Sequence, residues 1–238
     1  MRYARHGRAI NESFTLALIC ALLIATAFAG DAVARARRQR RAVLAPSREE
    51  VLEAERLLSE LGYWTGEADG KWDAVSRQAL VAFQKVERRD RTGVLTLEEL
   101  QALRGASRPR PLEGGPAHVE VDISRQVLFF VDDAGVVTKI LPVSTGSGAR
   151  YSDRGEWAVA RTPRGRFAVE RKVSGWRRGH LGLMYYPDYF HEGFAIHGSL
   201  SVPAYPASHG CVRIPVFAAR EFSEMVPIGT PVIVHDGS

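Results

Sequence analysis

Polar and apolar positions follow two different periods along this chain, and the change falls near residue 105. Ser47 with Glu50 three residues on fits a capping box, and Val51, Ala54, Leu57, Leu58 and Leu61 then recur at helical spacing. Gly62 is expected to stop that helix, and a turn-rich stretch runs from Tyr63 to Trp72. Asp73 can cap a second helix with Ala79, Leu80, Phe83 and Val86 on one face. Thr96 and Glu99 repeat the capping box before Leu97, Leu100 and Leu103. Residues 47–104 thus predict a small three-helix bundle, marginal as an isolated fold. Residues 105–116, rich in Pro and Gly, predict a linker. Beyond it the pattern alternates. Strands are expected over 118–123, 127–131 and 136–143, with Asp132-Asp133-Ala134-Gly135 as a turn, and near 165–170, 193–197 and 231–235. Only Pro215 to Met225 has a helical pattern there. The expected fold class is multidomain: the helical bundle, then a β-rich domain over 117–235 with one or two helices.

The N-terminus has a different pattern. Arg2, Arg5 and Arg8 precede an uncharged apolar run from Phe14 to Ala29 that closes on Ala27-Phe28-Ala29. Basic head, short apolar middle and small-residue exit are the parts of a secretory signal peptide over 1–29. As a helix the run reaches about 24 Å, short of a bilayer's hydrocarbon core. The alternative is an uncleaved anchor, supported by the basic run that follows, Arg35, Arg37, Arg38, Arg40 and Arg41. Residues 30–46 are expected to form a basic linker. On either reading the bulk of the chain is expected to lie outside the cytoplasm, with membrane contact only through an uncleaved N-terminus.

Composition narrows the function. The 238 residues are 45% hydrophobic and 25% charged, which excludes a disordered chain, a collagen and a multispan membrane protein. The net charge of +5 is scattered outside the basic linker, so nucleic acid is not an expected partner. Two cysteines make no disulfide scaffold. Cys20 lies in the apolar run, so cleavage after Ala29 leaves Cys211 as the only thiol, which in an exported protein needs a reason. A monomer is the default expectation.

The chemistry concentrates in Ile196-His197-Gly198-Ser199 and Ser208-His209-Gly210-Cys211-Val212-Arg213, separated by eight residues. Pro203, Pro206 and Gly210 make the intervening stretch a loop, where reactive groups commonly sit. A thiol attacks as thiolate and near neutrality needs a base or a cationic neighbour. His197 and His209 are both candidate bases. His209 is two residues from Cys211, with doubtful alignment of ring and sulfur; His197 arrives from a neighbouring strand end. Gly210 lets the backbone turn so that the Gly210 and Cys211 N–H groups can form an oxyanion hole. Three other readings compete: an inert buried cysteine, a zinc site built from His197, His209 and Cys211, and a nucleophilic Ser199 or Ser208.

Both halves of the chain resemble known families. Leu61-Gly62-Tyr63, Gly66, Asp69-Gly70, Ala79, Phe83-Gln84, Thr96 and Leu100 resemble the three-helix peptidoglycan-binding domain, departing from it at Lys71-Trp72-Asp73. HGSLSVPAYPASHGCVRIP resembles the signature of the YkuD-type L,D-transpeptidase domain. Val119-Glu120-Val121-Asp122, Gln126-Val127-Leu128, Val143-Ser144-Thr145-Gly146 and Thr162-Pro163 with Gly165 support the likeness. The stretch Ala149 to Arg161 is longer than the spacer expected there. The resemblance implies a mixed β-sandwich and acyl transfer on peptidoglycan stems with no cofactor and no metal. It casts Cys211 as nucleophile and His197 as proton donor and acceptor. The His209, Gly210 and Cys211 N–H groups become the oxyanion hole, and Ser208 orients the loop. Arg213 meets a substrate carboxylate or pins the loop. Met184, Tyr185, Tyr186, Tyr189 and Phe190 become a lid, with Tyr186 and Tyr189 touching substrate. Transfer to a stem amine gives a 3→3 cross-link and transfer to water an L,D-carboxypeptidase. A wall-binding protein that keeps the fold without catalysis is the remaining alternative.

Overall fold

A computed structural model describes residues 46–237. The expected signal peptide over 1–29, and the basic linker over 30–46 apart from Pro46, lie outside the described residues. Among the described residues, no helix is long and apolar enough to cross a membrane.

The helical part forms as its caps dictate. In α1 (Arg48–Glu60) the Glu50 N–H donates to Ser47 Oγ and the Ser47 N–H to Glu50 Oε2, a closed capping box. Asp73 accepts from the Val75 and Ser76 N–H groups at the start of α2 (Ala74–Val86). Thr96 accepts from the Glu99 N–H at the start of α3 (Leu97–Gly105). Each such cap stabilises a short helix by about 1 kcal/mol. The turn between α1 and α2 is held by Glu55, buried to 1% exposure, which accepts from the Gly70 N–H at 2.9 Å and from Ser76 Oγ at 2.7 Å.

The β-rich part is two mixed sheets and one helix. β1 (His118–Asp122), β2 (Val127–Val131), β3 (Val137–Pro142), β6 (Gly165–Ala168) and β12 (Pro231–His235) form a sheet in the order β3-β2-β1-β12-β6, with β1 and β12 parallel. β7 (Arg171–Lys172), β9 (Gly182–His191), β10 (Phe194–Ser199) and β11 (Val212–Pro215) form the second in the order β11-β10-β9-β7. β8 (Trp176–Gly179) pairs with β9 as a hairpin. α4 (Val216–Met225) packs on this sheet. Val121, Leu128 and Val232 from the first sheet meet Ile196, Val212 and Ile214 from the second and Ala219 and Phe222 from α4 in one core. The expected bundle followed by a mixed β-sandwich with a helix is thus the observed class.

Several elements were not anticipated. Residues 149–161 fold as a separate hairpin, β4 (Arg150–Asp153) with β5 (Glu156–Val159), turning at Arg154-Gly155. That hairpin accounts for the extra length. β9, the longest strand, contains the tyrosines expected to form a lid. Its polar and apolar positions do not alternate, because its first half is a hairpin arm and its second half is buried.

The expected linker is not a free tether. The Leu112 and Glu113 N–H groups donate to the buried Glu120 carboxylate at 2.9 and 2.8 Å. Arg108 donates to the carbonyls of Val137 and Glu60. The bundle lies directly on the first sheet. Leu58, Leu80, Phe83, Leu100 and Leu103 share a core with Val127, Phe129, Val131, Val137 and Ile140. The turn after α1 extends the sheet edge, since the Ile140 N–H donates to the Gly62 carbonyl and the Trp64 N–H to the Ile140 carbonyl. Gly62 adopts φ 94°, a conformation that glycine takes without strain. The first sheet is therefore covered on both faces, and β2 (Val-Leu-Phe-Phe-Val) is apolar throughout for that reason.

Joined in this way, the helical and β parts are expected to unfold together. Phe129→Ala, which opens a hole between them, should lower stability by about 3–5 kcal/mol and Tm by on the order of 10 °C. Far-UV and near-UV circular dichroism should both follow one transition. Two separated melts, with only one displaced by the substitution, would contradict a shared core.

Candidate active site

The pairing of β10 with β11 assembles the site. The strands run parallel, with Ile196 beside Val212 and His197 beside Arg213. Side chains alternate across a sheet, so Ile196, Val212 and Ile214 enter the core and His197 and Arg213 project from the opposite face. Cys211, one residue before β11, takes the same side, and the backbone of Ala195 hydrogen-bonds its sulfur. His197, Cys211 and Arg213 line one cavity of about 510 Å³.

Three glycines allow this arrangement. At Gly198 an added Cβ would stand 2.6 Å from Ala219 Cβ, so α4 can pack closely behind His197. At Gly210, with φ 137°, a Cβ would stand 2.4 Å from the Phe194 ring and 2.9 Å from the Arg161 carbonyl. At Gly146 it would stand 2.5 Å from the Ala160 carbonyl. Thr162 Oγ1 accepts from the Gly146 N–H at 2.9 Å and donates to the Gly210 carbonyl at 2.7 Å, linking the segments. Thr162 belongs to a recognised sequence signature, but its bond to the cysteine loop exists only in the fold.

Burial disfavours the charged form of both His197 and Cys211. Burial lowers the His197 pKa to about 4; its Nδ1, 3.0 Å from the Gly198 carbonyl, partly opposes this, and the Arg213 charge adds to it. Burial also pushes the Cys211 thiol up, against the Ala195 hydrogen bond and the Arg213 charge. With Nδ1–H donating to the Gly198 carbonyl, Nε2 is left as the unprotonated nitrogen that can accept a proton. The Arg213 side chain has no carboxylate partner among the described residues, and its charge enters the cavity unpaired.

Several expected roles change. The Gly210 N–H does not face an oxyanion: it donates to Ser208 Oγ at 3.0 Å, and that hydroxyl donates to the Cys211 carbonyl at 2.5 Å. Ser208 thus closes the loop on itself. The His209 and Cys211 N–H groups have no acceptor among the described residues. The His209 ring is exposed, 4.7 Å edge-on to Tyr151, on the same cavity that the buried His197 lines. Tyr186 and Tyr189 do not line the cavity. Tyr189 is 7% exposed with its ring 3.6 Å under the Arg171 guanidinium, and Tyr186 packs edge-on to Tyr185 against the core. Phe190 is fully buried, and of the five residues expected as a lid only Met184 reaches the cavity. The rim comes instead from two hairpins, through Tyr151 and Asp153 on one and Trp176, His180, Leu181 and Leu183 on the other. His180 Nε2 lies 3.1 Å from Asp153 Oδ1 and ties the hairpins together. No signal of period or composition marks this pair in the sequence. Among the described residues, no three His, Cys, Asp or Glu side chains stand close enough to hold a metal ion.

Comparison with known proteins gives the geometry its context. Residues 116–234 match the model of the L,D-transpeptidase catalytic domain, YkuD, and residues 47–103 that of a peptidoglycan binding domain. No curated protein matches the chain. The crystal structure of an L,D-transpeptidase from Xylanimonas cellulosilytica is 40% identical, with a TM-score of 0.75 over 78% of this chain and 93% of that one. An L,D-transpeptidase from Stackebrandtia nassauensis is 21% identical, with a TM-score of 0.47 over 79% of this chain and 91% of that one. The catalytic-domain match, the 40% identity and the shared fold together place the chain in the L,D-transpeptidase family, with a peptidoglycan-binding domain ahead of its YkuD domain.

Proposed function

We propose that this protein is a cysteine-dependent L,D-transpeptidase of the cell envelope, exported and monomeric, that cross-links the tetrapeptide stems of peptidoglycan. The observation that carries the reading is the common cavity of Cys211, His197 and Arg213, with His197 Nε2 left free to accept a proton. The unpaired Arg213 suits a carboxylate on the stem peptide. Cys211 attacks the carbonyl between the third residue and the terminal D-Ala, and its proton passes to His197 Nε2. The negative charge moves to the carbonyl oxygen, where the His209 and Cys211 N–H groups receive it. The C–N bond then breaks, the imidazolium gives its proton to the departing amine of D-Ala, and a thioester remains on the sulfur. An amine from a second stem attacks the thioester, its proton passes to His197, and the thiol is restored as the 3→3 bond forms.

The resting pair is neutral, so proton transfer accompanies sulfur attack and no stored thiolate–imidazolium pair precedes it.

Cys211→Ala should abolish D-Ala release from tetrapeptide stems while sedimentation with sacculi is unchanged. Intact-mass spectrometry after exposure to a carbapenem should show one covalent adduct, at Cys211; turnover by Cys211→Ala would reject the nucleophile. Protonation of His197 removes the base, and its folded pKa is about 4. The kcat/KM profile should therefore stay level from neutrality down to about pH 5 and fall only on approach to pH 4. An acid limb centred at an ordinary histidine value, about 6.5, would assign the base elsewhere. Arg213→Gln should raise KM by about 10–100-fold for substrates carrying the free carboxylate, with a smaller effect on an amidated analogue.

A further inference from the structure

The helical domain sends two cations into the β-rich part, and both end on segments that hold the cysteine loop. Lys85, on α2, is fully buried, and its Nζ donates to the Val143 carbonyl at 2.8 Å and the Gln126 carbonyl at 3.1 Å. Gln126 adopts φ 62°, a left-handed conformation that costs a non-glycine residue energy unless its surroundings hold it. Its side chain grips Thr145: Nε2 donates to Thr145 Oγ1 at 2.6 Å, and the Thr145 N–H donates to Oε1 at 2.9 Å. The Thr145 carbonyl accepts from the Ala207 and Ser208 N–H groups at 3.0 and 2.9 Å. Ser208 Oγ then bonds the Cys211 carbonyl. From α2 to the cysteine the path is thus Lys85, Gln126 and Val143, Thr145, Ser208 and Cys211, every link a hydrogen bond. The second cation, Arg91, follows α2 and donates from Nη1 to the Ala204 carbonyl at 2.9 Å, beside Tyr205, whose carbonyl accepts from Ser144 Oγ.

From this we infer that Lys85 and Arg91 of the peptidoglycan-binding domain are positioning residues for the transpeptidase reaction, holding the 200–211 loop in its reactive conformation. The inference rests on the proposed role of Cys211. Neither cation touches the cavity, so each acts through the backbone it fixes. An ammonium that only stabilised the bundle would not need to leave it; this one crosses the domain boundary to two main-chain carbonyls, with no carboxylate partner among the described residues. Burial lowers the Lys85 pKa to about 7, helped by the Arg91 charge, so that ammonium is held at a cost to folding.

Lys85→Met is one heavy atom shorter, stays unbranched and removes the donor, and the exposed Arg91→Ala leaves the core untouched. In the full chain, both should speed hydrogen exchange at the Ala207 and Ser208 amides about tenfold. Both should lower kcat for D-Ala release about five- to tenfold, with KM and sacculus sedimentation within twofold of wild type. Unchanged kcat and exchange in both variants would overturn the inference, as would faster exchange with unchanged kcat. If Lys85→Met fails to fold, Arg91→Ala decides alone. Amide exchange reads the loop whichever residue attacks, so turnover by Cys211→Ala would defeat the nucleophile assignment without being confused with a failure here.

Discussion

Parallel strands cannot be joined by a tight turn; the chain must cross from the end of one to the start of the next through about a dozen residues. That constraint governs the site. β10 ends at Ser199 and β11 starts at Val212, and the loop between them delivers Cys211 back to the start of β10 beside Ala195. The eight residues between the two histidine-containing motifs, continued by Ser208 to Cys211, make up this crossover. The register then selects the partners. With His197 beside Arg213, the imidazole and the guanidinium stand on one face, and the aliphatic residues between them enter the core. A slip of one residue would bury His197 against α4 and turn Ile196 toward substrate.

Electrostatics follows from the same placement. A histidine and a thiol driven under a sheet edge both lose solvation, which disfavours the imidazolium and the thiolate alike. Arg213 pulls the two in opposite senses, favouring the thiolate and opposing the imidazolium. The loop leaves the His209 and Cys211 N–H groups without acceptors among the described residues. Ser208 contributes by withdrawing the Gly210 N–H and the Cys211 carbonyl into internal bonds, which stiffens the loop around the sulfur.

The two sequence domains are one mechanical body. The turn after α1 lengthens the first sheet, the bundle core merges with one face of that sheet, and buried Glu120 clamps the connecting segment. The polymer-binding part and the chemistry are thus held at a fixed separation. Seen this way, Leu61-Gly62-Tyr63 serves the junction: Gly62 accepts from Ile140, and Tyr63 packs edge-on to Phe83 at 5.7 Å beneath it.

Local chemistry was legible along the chain. The caps at Ser47, Asp73 and Thr96 bond within three residues, so their sequences suffice to place helix starts. His197, His209, Cys211 and Arg213 cluster within one short segment and line one cavity in the fold, because the crossover that holds them is itself local in sequence. The unbroken apolar run of β2 already carried the information that both its faces are covered, though not that the helices do the covering. What tertiary structure decided was which groups face one another. It buried His197 and left His209 exposed on the same cavity, gave the Gly210 N–H to Ser208, folded the tyrosine-rich stretch into a strand, and joined His180 to Asp153. Those outcomes depend on register and packing between segments far apart in the chain. Periodicity reports only whether a side chain is buried, and the partner it meets there is determined by the elements that close over it.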